Sequence, residues 1–224
     1  MRGENQDRGY RARRKYRDAG VAQAYDLTRF SGPLGRIKLW RDHRLLSRAL
    51  REVGRVRWVL DLPSGTGRFS PVLEKRAERV VSADISLEMM AVAAQRHPSP
   101  RVLYIQCSVE GLPFRDACFD LTFTARFLLH LPPALRQVAL CELARVSKRW
   151  VLFDCMMEGG LKGWARKFGG SGRAQGKAKK RMGREELMEL LRGSDLQICH
   201  IFRPSRFFSE KWMILCQKKQ SAQG

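Results

Sequence analysis

The stretch Trp58-Val59-Leu60-Asp61-Leu62-Pro63-Ser64-Gly65-Thr66-Gly67-Arg68-Phe69 most limits what this chain can fold into. An apolar run of β-formers stops at an acid, crosses a turn with two glycines and re-emerges with helical spacing, which predicts strand, tight loop and helix. Gly65 and Gly67 lack Cβ atoms, so the backbone can adopt positive φ there and a ligand can lie against the main chain. Free amides at the start of the following helix favour an anionic ligand group.

Spacing separates the ligand classes that use such a loop. A dinucleotide fingerprint needs a third glycine where this chain has Ser70, and its first glycine follows the strand directly. Here Asp61 closes the strand instead. A second short apolar run, Val80-Val81-Ser82-Ala83, also ends in an acid, Asp84, close to the ~20-residue interval at which a carboxylate on a second strand tip meets a ribose diol. A carboxylate accepts two hydrogen bonds from vicinal hydroxyls better than a neutral side chain does.

Periodicity fills in the rest. Apolar residues recur at helical spacing from Gly35 to Val53, with Gly54 as a stop. A helix is expected over 68–77, and another begins after Ser86, a good N-cap, with Glu88 in its first turn. Pro98 and Pro100 break that helix before a strand over 101–106. A strand begins at Phe119, a helix runs from Pro132-Pro133 to Ser147, and a strand covers Trp150 to Cys155. A helix led by Glu185-Glu186 precedes two strands, Leu196 to Phe202 and Lys211 to Cys216. Strand and helix alternate, hence an α/β, Rossmann-like, mostly parallel sheet with helices on both faces.

The order Asp61, three residues, Gly65, one residue, Gly67 resembles motif I of the class I S-adenosylmethionine-dependent methyltransferases. Cys107-Ser108-Val109-Glu110-Gly111-Leu112-Pro113-Phe114 resembles the Gly-Asp-Ala-Glu-x-Leu-Pro-Phe segment of their quinone and small-molecule (methyltransferase type 11) branch, with Ser108 where an Asp is common. Phe119 to Leu131 resembles the Phe-Asp-x-x-x-Ser-x-x-x-Leu-His-His-Leu run after the family's fourth strand, with Arg126 and Leu129 as departures. The resemblance implies seven strands, the last antiparallel. It implies S-adenosyl-L-methionine as cofactor, held by Asp61, Pro63, Ser64, Gly65, Thr66, Gly67, Asp84, Ile85, Ser108, Val109, Glu110, Thr124 and Ala125. An N-terminal lid over 19–54 would bring Tyr25 and Arg29 toward the ligand, although packing explains Tyr25 equally well. Pro63 replaces the family's first glycine, which stiffens the turn and removes one N–H.

In-line methyl transfer needs placement more than a base, and a base only when the nucleophile carries a proton of high pKa. Three residues are weak candidates for that role: His130, Tyr25 and Asp154. The Leu-Pro-Phe and Leu-x-His-Leu segments point to a small-molecule or lipid-like acceptor. Charge keeps two alternatives open, an RNA methyltransferase and a non-catalytic Rossmann-like RNA-binding protein, while the lack of an Asn/Asp-Pro-Pro-Tyr tetrapeptide weighs against base methylation.

With 224 residues, one domain over 19–217 is expected, flanked by a disordered basic arm over 1–18 and a frayed tail over 218–224. Residues 162–184 carry many Lys and Arg and no acid, spaced by glycines, and read as a flexible basic insertion. The formal net charge of +21 raises encounter rates with any polyanion, RNA or an acidic membrane face, through that arm and loop. No apolar run reaches the ~18 residues of a membrane span. Six cysteines without metal spacing and an N-terminus unlike a leader lead to the expectation of a reduced, cytoplasmic protein without a metal.

Overall fold

A computed structural model describes residues 32–158, 181–204 and 210–219. The basic arm 1–18, Tyr25 and Arg29, most of the 162–184 insertion and the tail beyond Lys219 lie outside the described residues. In chain order the elements are α1 (Pro33–Val53), β1 (Val56–Asp61), α2 (Ser70–Leu73), β2 (Ala77–Asp84), α3 (Leu87–Arg96) and β3 (Val102–Gln106). There follow β4 (Phe119–Thr124), a 3-10 turn at Leu128–His130, α4 (Pro133–Val146), β5 (Ser147–Met156), α5 (Arg184–Arg192), β6 (Leu196–Phe202) and β7 (Lys211–Lys218).

The strands form one seven-stranded sheet in the order β3-β2-β1-β4-β5-β7-β6. All pairings among β1 to β5 are parallel, and β7 alone runs against both of its neighbours. The expected α/β architecture and antiparallel last strand are therefore present. Successive side chains split between the faces, as strand geometry requires. Val59, Leu121, Phe123, Leu152 and Met213 pack with Leu45, Leu46 and Leu50 of α1 and Val72 of α2. Leu60, Val151, Phe153 and Ile214 pack with Leu140 and Leu143 of α4 and Leu187 and Leu190 of α5 on the other face.

Three expectations about elements need correction. The helix expected over 68–77 is only the single turn Ser70–Leu73, and β2 starts at Ala77 rather than Val80. Glu78 and Arg79 are exposed at the start of β2, so their polarity concealed a strand that already pairs with β1 through Val56 and Ala77. Lys218, expected in the tail, is still part of β7 and pairs with Leu196.

Candidate functional site

Strand order reverses between β1 and β4, and open α/β sheets bind ligands in the crevice beyond the carboxyl ends of such strands. The loop from Asp61 to Phe69 leaves β1 at this point. Three backbone bonds anchor it: Leu62 N–H to Phe123 O (3.0 Å), Ser64 N–H to Ala83 O (2.9 Å) and Gly67 N–H to Ser64 O (3.1 Å). Gly65 and Gly67 have φ of 55° and 70°, in the region that penalises a Cβ. At Gly67 a Cβ would also lie 2.9 Å from that of Ala93 in α3, so the loop can approach the helix only without a side chain.

Asp84, at the tip of β2, holds this loop. Its Oδ2 accepts the Gly65 N–H at 2.8 Å and its Oδ1 accepts the Ser86 N–H at 3.0 Å. Burial raises its pKa against the pull of those amides. Each oxygen retains acceptor capacity, so the carboxylate can brace the glycine turn and still receive hydroxyls. Ser86 also caps α3, its Oγ accepting the Met89 N–H at 3.1 Å.

Asp61 is different. Its side chain is 1 % exposed and neither carboxyl oxygen has a hydrogen-bond partner. Burial drives its pKa well above the carboxylate range, the Asp84 charge adds to the rise, and Arg68 offsets it. The buried hydroxyls of Ser64 and Thr124 likewise have no hydrogen-bond partner. Buried polar groups are normally satisfied, so these three groups form an unusual polar cluster with spare hydrogen-bonding capacity at the switch point. Thr124 ends β4 beside Asp61, since Asp61 pairs with Phe123.

Residues 60–152 match the family model described as a methyltransferase domain. Among curated proteins, the chain is 33 % identical over 135 residues to the ubiquinone/menaquinone biosynthesis C-methyltransferase UbiE of Xylella fastidiosa, covering 57 % of this chain and 51 % of that protein. It is 37 % identical over 129 residues to the demethylmenaquinone methyltransferase of Mycobacterium bovis, covering 58 % and 51 %. The chain thus spans about half the length of the curated relatives it matches. Magnesium protoporphyrin IX methyltransferase of Synechocystis PCC 6803, solved with bound SAH, shares the fold at a TM-score of 0.72 and 14 % identity, covering 93 % of this chain and 98 % of that one. Residues 60–152 are thus similar to a methyltransferase domain, and the fold is one shared with a solved methyltransferase.

Around the switch point, the remaining expected site residues fall into two groups. Pro63, Gly65, Ile85 and Ala125 are half-buried near Asp61, Asp84 or Thr124 in sequence, Ser108 is half-buried just after Cys107, whose N–H donates to Asp84 O at 3.1 Å, and Thr66 is buried within the loop. Val109 packs into the core and Glu110 is exposed. The segment that carries them is held from α4: Leu112 N–H donates to Glu142 Oε2 at 2.7 Å, and Arg145 donates to Leu112 O and Phe114 O at 3.0 and 2.9 Å.

Of the three candidate bases, Tyr25 lies outside the described residues and His130 sits exposed in the 3-10 turn. Asp154, 6 % exposed at the end of β5, belongs to an ionic quartet that sequence reading missed. Its Oδ1 accepts the Arg126 N–H at 2.5 Å and its Oδ2 lies 2.9 Å from Lys211 Nζ. Lys211 Nζ also donates to Asp42 Oδ1, and Arg126 Nη2 donates to Asp42 Oδ2, both at 2.7 Å. Burial pushes the Asp42 pKa up, but Lys211 and Arg126 together outweigh it and the net shift is downward. With both Asp154 oxygens engaged, that carboxylate is a structural tie rather than a free base. One signal was legible: Asp42 falls on the same helical face as Leu45, Leu46 and Ala49, where an acid needs a partner.

Proposed function

We propose that the chain transfers a methyl group from S-adenosylmethionine to a small, apolar, quinone-like acceptor. The observation that carries the cofactor half is the buried, unpartnered Asp61 carboxylate beside a glycine turn at the switch point. The acceptor half rests on the quinone methyltransferases named above and on the Leu112-Pro113-Phe114 and Leu129-His130-Leu131 segments.

The residues fit this cofactor. Asp61 would receive the amino-acid ammonium, which satisfies its oxygens and draws its pKa back down. Asp84 would take ribose hydroxyls on its residual acceptor positions while keeping the glycine loop in place. The main chain at Gly65 and Gly67 would lie against the ligand, Ser64 and Thr124 would supply hydroxyls, and Ile85, Ser108, Val109 and Glu110 would border the adenine. When bound, the cofactor supplies an electrophilic methyl group on a sulfonium. The chain's part is then to position the acceptor and exclude water, and alignment alone can supply about 7–11 kcal/mol of the barrier reduction.

The direct test offers methyl-labelled cofactor and a demethylated quinol to the full chain and follows the product by mass. Label in the quinol is expected; absence of both label transfer and calorimetric binding of cofactor at millimolar concentration would overturn the reading. The basic stretches 1–18 and 162–184 are proposed to meet a polyanion, on charge alone. Affinity for RNA or anionic vesicles that does not fall as salt rises would remove that role.

A further inference from the structure

α1 divides into two unlike halves. From Asp42 onward its inner face is buried, with Leu45, Leu46, Ala49 and Leu50 in the core. From Pro33 to Arg41 no residue is buried, yet Leu34, Ile37 and Trp40 are large and apolar, with relative exposures of 83 %, 53 % and 55 %. Spacing by three places them along one stripe of the helix. Arg36, Arg41 and Arg44 are exposed beside that stripe, the Arg44 guanidinium lying 4.8 Å from the centre of the Trp40 ring. No acid occurs between Pro33 and Arg41.

The fold places this half of the helix beside the cofactor site. α1 ends at Val53, just before β1 begins at Val56 on the amino edge of the sheet. Asp42 is tied to Arg126 and Lys211 at the opposite, carboxyl edge, and His43 Nε2 lies 2.9 Å from Arg68 O in the glycine loop. The turns before Asp42 therefore project beyond the strand tips, by about 13 Å at 1.5 Å per residue. Asp61, Ser64 and Asp84 lie at that same edge.

We infer that Leu34, Ile37 and Trp40, with the arginines beside them, form a docking surface for an anionic lipid bilayer that brings the site's edge against the membrane. A helix with exposed Leu, Ile and Trp and cationic neighbours buries its apolar side chains at the acyl boundary while its cations meet anionic headgroups. RNA would use the arginines but has no use for Leu34 and Ile37, so the apolar stripe favours lipid. The inference rests on the quinone-like acceptor reading in one respect: a lipid-embedded acceptor explains why such a surface adjoins the site.

Flotation of the full chain with phosphatidylcholine vesicles, with and without anionic phosphatidylglycerol, tests it. The wild-type chain is expected to float with anionic vesicles only, and Leu34→Ser/Ile37→Ser/Trp40→Ser to lose at least about tenfold in vesicle affinity, in line with the loss of apolar burial. Thermal melting and calorimetric binding of S-adenosylhomocysteine are expected to be unchanged in that variant. Ile37→Glu alone carries the same test if the triple variant does not fold, and Arg36→Gln/Arg41→Gln is expected to flatten the salt dependence. Wild-type affinity in the apolar variants, no flotation of the wild type, or binding to RNA but not to vesicles overturns the proposal. So does a fall from dimer to monomer in the apolar variants, which would give the stripe to a second copy. Absence of S-adenosylhomocysteine binding in the wild type would overturn the methyltransferase reading and leave the flotation result standing.

Discussion

Asp61 combines deep burial with two unsatisfied oxygens, a combination that costs the ligand-free protein stability. Its folded pKa is raised, so its contribution to stability is present at low pH and is lost as pH climbs through that raised value. Asp61→Asn keeps the shape and removes the charge. At neutral pH it is expected to raise the thermal midpoint of the ligand-free chain, each kcal/mol being worth about 2–4 °C at this size. It is also expected to weaken cofactor binding by about tenfold or more, the worth of a charged hydrogen bond. Calorimetry and melting on one preparation check both signs, and a variant that loses stability while binding normally would place Asp61 outside the site. Gly67 makes a second residue-scale prediction. Gly67→Ala combines positive φ with a contact of 2.9 Å to Ala93 and is expected to cost about 1–3 kcal/mol, read as a lower urea midpoint.

At the scale of elements, α1 depends on Asp42. This acid pins the helix to the ends of β5 and β7 and to the loop after β4, through Lys211 and Arg126. Its pKa is lowered in the fold, so its stabilisation is complete above the ordinary carboxylate value and is lost as pH falls through the lower folded value. Asp42→Asn removes the charge that the Arg126 guanidinium and the Lys211 ammonium share and is expected to cost about 3 kcal/mol at neutral pH. The difference from wild type should narrow as pH is lowered below the carboxylate range, which chemical denaturation at stepped pH measures; a constant difference would show that the charge is not what holds the helix. The same tie explains the departure at Arg126, which occupies positive φ at 58° while its N–H meets Asp154. From sequence, Arg126 was only an unexpected residue in a familiar run, because its partners Asp42 and Asp154 come from α1 and β5.

Across the whole molecule, the strand order 3-2-1-4-5-7-6 carries the tips of β1, β2 and β4 to one edge, and the glycine turn, the two acids and Thr124 meet there. Asp61, Gly65, Gly67 and Asp84 were legible in advance because each marks a local event: a strand end, a positive-φ turn, or a second strand end at a set interval. Local patterning was also enough for the alternation of strands and helices and for Ser86 as a cap. It failed over 68–79, where a single helical turn and a strand with a polar start share too few residues for either period to show. Among the described residues no helix is long and apolar enough to cross a membrane.

Sequence by itself determined the fold class and the glycine loop, since hydrophobic period and glycine placement are properties of neighbours along the chain. Only the tertiary structure decided that Asp84 braces the loop, that Asp154 is tied to Lys211 and that the first turns of α1 stand clear of the core. Each of those depends on groups far apart in sequence, Asp42 and Lys211 above all, whose charges acquire their partners only when the sheet is assembled.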